Sequence, residues 1–159
     1  MKPGTAAVVA IGSVAAAALI GSQYGPQNPA TGVWYARLRK PSFTPSGKVI
    51  GAVWSVLDIL LCITGYRLMR AAPSPARSVA LAGWIGDIAG LAGFQPVFFG
   101  GRRLGAGTAV SSGLLASAAT TAAASAYSDK GAAAAATPLV LWTAFATVLS
   151  EELWRRNAR

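Results

Sequence analysis

Two aspartates carry the chemical potential of this sequence. Asp58 and Asp87 each stand inside a long apolar run, near the middle of what reads as a helix. An ionisable side chain at such depth costs about 2.5–3.5 kcal/mol on insertion scales, so it normally faces a cavity or a partner. Trp54 lies four residues before Asp58 and shares its helix face, with Gly51 and Gly47 continuing the stripe. Trp84 and Leu91 flank Asp87 at helical spacing, and Phe94 follows. A carboxyl kept neutral by desolvation beside aromatic faces can give a proton or a hydrogen bond to an apolar ligand. It could also protonate an olefin or epoxide and start a cyclisation, with ring faces steadying the carbocation. The plainer alternative is that each aspartate is protonated and bonded to a neighbouring helix.

Other chemistries are weakly supported. The sequence has no histidine and a single cysteine, Cys62, so neither the commonest metal ligand nor an internal disulfide is available. It carries no phosphate loop, dinucleotide fingerprint or serine–histidine arrangement, and no cofactor or metal is expected. The net charge of +9 does not point to nucleic acid, because the 14 basic residues sit in short clusters between apolar runs and form no amphipathic face.

The elements that must position the aspartates are membrane helices. Hydrophobic residues make up 53% of the 159-residue chain and charged ones only 12%, against about a quarter in soluble domains. Five apolar segments, residues 5–22, 47–69, 78–100, 104–127 and 132–154, each approach the roughly 20 residues that cross a bilayer. The expectation is an all-α integral membrane protein, residues 1–159 forming one five-transmembrane-helix bundle. The first segment reads as a retained helix rather than a signal peptide. The long connection, residues 23–46, is rich in Pro, Gly and aromatics and reads as a lid loop.

With five spans, nine basic residues share one side: Arg37, Arg39, Lys40, Lys48, Arg102, Arg103, Arg155, Arg156 and Arg159. The other five, Lys2, Arg67, Arg70, Arg77 and Lys130, fall opposite. The richer side is expected in the cytoplasm of a bacterial cell, leaving the N-terminus outside the plasma membrane. Gly113, Ser117 and Thr121, like Gly12 and Ala16, recur at four-residue spacing and suit close helix packing, within one chain or between two copies.

The lid makes the sequence specific. The run from Trp34 to Pro45, with Trp34-Tyr35, Leu38, Lys40-Pro41, Phe43 and Pro45, resembles a pattern of the TspO/MBR family, the tryptophan-rich sensory proteins related to the mitochondrial translocator protein. Val49 to Trp54, Gln95 to Gly100, and Pro138, Trp142 and Asn157 resemble its later motifs in order. The resemblance implies a five-helix bundle, often a homodimer, whose lid caps a pocket for porphyrins, sterols and synthetic hydrophobic compounds; some members are linked to porphyrin breakdown. It assigns Trp54 and Trp142 to the pocket, and Tyr35 and Phe43 to the lid. The sequence departs from the pattern where Asp58 replaces a Tyr, Asp87 and Leu91 replace Gln and Asn, Phe94 replaces a Trp, Leu139 replaces a Tyr and Ser150 replaces an Asn. These departures imply a rewired pocket with two added carboxyls. Three functions stay open: a binder or transporter of a hydrophobic ligand, an acid-catalysed isomerase or cyclase of a prenyl substrate using Asp58 or Asp87, and a structural subunit.

Overall fold

A computed structural model describes residues 1–158; Arg159, counted above among the basic residues, lies outside the described residues. The chain is all-helical. Five long helices are α1 (Pro3–Ser22), α3 (Gly47–Arg70), α4 (Pro75–Gln95), α5 (Leu104–Ser125) and α6 (Lys130–Asn157). A sixth, α2 (Pro29–Arg37), occupies part of the connection expected to be a loop. Five helices were expected and six are present among the described residues. Asn28 caps α2 by accepting from Ala30 N–H at 3.1 Å, and Pro29 at the first helical position pre-sets φ, which starts a helix despite the Thr and Gly that follow.

Local chemistry sets the other boundaries. Ser46, Ser74 and Asp129 cap α3, α4 and α6 by accepting from Val49, Arg77 and Ala132 N–H. Such caps are worth about 1 kcal/mol each. At its far end α4 widens into a π turn, Pro96–Gly100, which swings Phe98 and Phe99 inward as buried rings. Arg102 then takes a left-handed backbone, φ 52°, and turns the chain into α5 within three residues.

The long helices form a closed ring in the order α1, α3, α6, α5, α4 and back to α1. Helices α4 and α5 meet at close range. A Cβ added at Gly83 would meet Thr121, one at Gly86 would meet Ser117, and one at Gly90 would meet Leu114. Ser117 and Thr121 therefore pack within the chain, whereas Gly12 and Gly113 face open space.

The outer surface of the long helices is apolar: Val8 is 72% exposed, Leu141 69%, Leu19 66% and Ile85 62%. An inverted surface of this kind suits lipid. By length and composition α1, α3 and α6 can cross a membrane. Helices α4 and α5 have the length, but their Gly, Ser and Thr lower the mean hydropathy. Apart from Asp58 and Asp87, the charged side chains of the long helices lie towards the helix ends. At one end Arg67 Nε donates to Asp129 Oδ1 at 2.8 Å and Arg77 Nε donates to Leu68 O at 2.7 Å.

Candidate functional site

The lid end of the ring holds a cavity of about 720 Å³, inside the range of small-molecule sites. One stripe of α3, Gly47, Gly51, Trp54 and Asp58, forms a wall. Leu91 and Phe94 of α4 with Phe98 and Phe99 of the π turn form the next. Trp142, Phe145 and Leu149 of α6 close the third, and Tyr35, Lys40 and Pro41 lie above.

The roof is fastened at several points. Trp34 meets Phe98 and Phe99 edge-on at 6.2 and 6.4 Å between centroids, and Tyr35 meets Phe99 at 5.3 Å. Lys40 Nζ lies 4.4 Å from the Tyr35 ring centre, and the Arg102 guanidinium 6.0 Å from that of Trp34. Asn157, at the end of α6, joins the lid backbone twice. Arg39 N–H donates to its Oδ1 at 2.9 Å, and its Nδ2 donates to Arg39 O at 3.1 Å. Beneath the near end, Thr31 Oγ1 donates to Gly25 O at 2.6 Å.

Polar residues also line it, among them Gln27, Gln95, Ser111, Thr143 and Ser150, and two lining residues carry an unpaired buried atom. Asp58 Oδ1 and Trp142 Nε1 are buried with no hydrogen-bond partner among the described residues. Trp142 also lines an apolar groove of about 540 Å³ on the outer face between α3 and α6, with Val56 and Leu141. Its indole thus stands between the cavity and the lipid-facing surface.

The residues singled out from sequence divide into two groups. Tyr35, Trp54, Asp58, Leu91, Phe94 and Trp142 line the cavity. Phe43 does not; it is 46% exposed and braces the lid against Phe145 at 6.2 Å. Trp84 is turned into the core, with its Nε1 donating to Leu61 O at 2.9 Å and its ring over Gly65. Leu139 is buried in the same core cluster. Asp87 also lies outside the cavity. It is 1% exposed in the α4–α5 seam, where Thr121 Oγ1 donates to its Oδ2 at 2.8 Å. The two aspartates therefore do not share a pocket. The glycines that draw α5 against α4 leave no room for one beside Asp87.

Sequence reasoning missed Phe98, Phe99 and Phe145 as wall residues. Phe145 is three residues after Trp142 and shares its face, a signal present in the spacing. Phe98 and Phe99 are adjacent, and only the π turn lets both face inward. Among the described residues there is no cluster able to hold a metal ion.

The sequence profile of the TspO/MBR family matches residues 6–155. The chain belongs to this family. It is 32% identical over 127 residues to protein CrtK of Rhodobacter capsulatus, covering 79% of each chain. It is 33% identical over 127 residues to the translocator protein of Homo sapiens, covering 78% of this chain and 75% of that one. To the tryptophan-rich sensory protein of Cereibacter sphaeroides it is 31% identical over 124 residues, covering 78% and 77%. The family is a membrane family, in agreement with the apolar outer surface. Within this TspO/MBR chain, the lid, the π turn and the face of α6 that carries Trp142 converge on one volume.

Proposed function

We propose that this protein binds a hydrophobic small molecule of porphyrin, sterol or isoprenoid size in the cavity and carries it within or across the bilayer. The observation that carries the reading is the cavity itself: about 720 Å³, aromatic-walled and roofed by a fastened lid. The names of the relatives, translocator protein and tryptophan-rich sensory protein, support ligand handling over a purely structural role. In this reading residues 1–159 form one domain, and α1, α3, α4, α5 and α6 cross a bacterial plasma membrane with the N-terminus outside and the C-terminus in the cytoplasm. The nine-to-five split of basic residues supports that orientation. The open small-residue faces at Gly12 and Gly113 suit a homodimer contact.

A second reading is favoured by one feature, the Asp58 carboxyl among aromatic rings. There it would act as general acid on a prenyl substrate, cofactor-free, with Trp54 and Trp142 facing the cation. Asp87 has no access to the cavity, so this reading rests on Asp58.

Pyrene, a neutral acceptor of tryptophan emission, tests the site. The chain has five tryptophans. If pyrene occupies the cavity, Trp54→Phe and Trp142→Phe should each remove more than one fifth of the energy transfer. Undiminished transfer in both variants would move the ligand elsewhere.

A further inference from the structure

The polar atoms left over in the cavity specify more than hydrophobicity. Native proteins pair nearly all buried polar groups, so an unpaired one calls for an explanation. Here two of them, Asp58 Oδ1 and Trp142 Nε1, belong to residues on neighbouring helices that line one volume. The first accepts a hydrogen bond when the carboxyl is ionised, and the second can only donate. No ion pair among the described residues engages Asp58; the three present are Arg67–Asp129, Glu152–Arg155 and Glu152–Arg156. Lys40 is the basic residue at the cavity, and it is committed to the lid, with Nζ over the Tyr35 ring and 3.5 Å from Ala36 O.

Trp54 stands one turn from Asp58, and Phe94, Phe98 and Trp142 supply further rings. Ring faces attract cations, most strongly where water is excluded, and a carboxylate among them provides the counter-charge. We propose that the cavity selects a hydrophobic ligand bearing a protonated amine, bound to the Asp58 carboxylate against the aromatic wall. The same carboxylate disfavours ligands that carry acids, because like charges in a low-dielectric site repel strongly. This rests on the reading of the cavity as a ligand site and adds the charge class of its occupant.

The test uses three probes of one size: 1-pyrenemethylamine (cationic), 1-pyrenemethanol (neutral) and 1-pyrenecarboxylate (anionic). Each is titrated into the full chain in an uncharged detergent, with tryptophan-to-pyrene transfer as readout. The amine should bind about ten-fold tighter than the alcohol, as befits a charge-assisted hydrogen bond, and the carboxylate weakest. Asp58→Asn should bring the amine to the alcohol's affinity while the alcohol stays within about two-fold, which also reports that the variant is folded. Asp58→Glu should keep the preference for the amine. Equal binding of amine and alcohol by the native protein overturns the charge selection and leaves the cavity as a ligand site. So does an amine preference that survives Asp58→Asn. Failure of all three probes to bind overturns the cavity reading and this inference with it.

Discussion

Asn157→Ala should loosen the lid without unfolding the bundle. The Asn157 amide exchanges two hydrogen bonds with the Arg39 backbone, at 2.9 and 3.1 Å, and so ties residue 39 to the last turn of α6. Each such bond has a net worth of about 0.5–1.5 kcal/mol, and the exposed setting places this pair near the lower end, roughly 1–2 kcal/mol together. The loss falls on the lid alone, because the ring of long helices does not use Asn157 beyond a bond from its Nδ2 to Leu153 O within α6. Since about 1.4 kcal/mol is a factor of ten, the open population of the lid should rise roughly 5- to 30-fold. Trypsin reads this directly at Arg37 and Arg39, which lie at the end of α2 and just beyond it. When opening and closing are fast, cleavage tracks the open population. Cleavage should accelerate by that factor, and the dissociation of bound pyrene should accelerate with it, while the thermal midpoint moves little. Unchanged cleavage and dissociation would mean that the aromatic contacts of Trp34 and Tyr35 hold the lid unaided and that the Asn157 latch is incidental.

Two further outcomes concern the opposite end of the bundle. Burial alone would raise the Asp129 carboxyl, but the hydrogen bond and charge of Arg67 and the Ala132 N–H outweigh it and hold the group below its usual range. Its contribution is therefore complete above the unfolded value of about 3.9 and fades as pH falls through the folded value. Asp129→Asn keeps an oxygen for the helix cap and loses the ion pair, so at pH 7 its thermal midpoint should drop by an amount worth at most about 1 kcal/mol. The two proteins should converge near pH 2, and an equal gap at both pH values would assign the effect to the cap. A cysteine placed at Ser128 should be labelled by an impermeant reagent on intact cells; labelling only after permeabilisation would reverse the orientation.

What could be read from sequence was whatever depended on a residue's own helix. Apolar runs announced membrane helices, and the i, i+4 relation put Trp54 on the face of Asp58, where both line one wall. What could not be read was which way a face turns. Asp87, Leu91 and Phe94 share a stripe of α4 by spacing. The cavity nevertheless takes Leu91 and Phe94 and leaves Asp87 in the seam with Thr121, 34 residues away in sequence. Depth follows from counting residues, but orientation follows from the partner helix. The short α2 was hidden for another reason: nine residues with Thr, Gly and Val have weak helix propensity, and Asn28-Pro29 was the only local sign of a start. Trp84 was misplaced because an aromatic beside an acid suits a pocket wall and a packed core equally well.

The position of the cavity follows from how unevenly side-chain size is distributed around the ring. In lipid, helices gain little by hiding apolar surface from one another, so backbone approach is governed by the residues at the contact. Helices α4 and α5 meet through Gly83, Gly86, Ser117 and Thr121, and the seam closes on a single buried carboxyl. On the lid side the facing residues are Trp54, Phe94, Phe98, Trp142 and Phe145, rings too large to interdigitate across helices fixed by a tight seam elsewhere. The ring of helices is thus closed on one side and held apart on the other, and the volume appears beneath the lid. Asp58 lies at the edge of that volume, roughly 16 Å in from Gly47 at about 1.5 Å per residue. A carboxyl there borders the cavity, whereas the same group at position 87 is enclosed in the seam with Thr121. The functional weight of the two aspartates is therefore decided by glycines and aromatics that have no chemistry of their own.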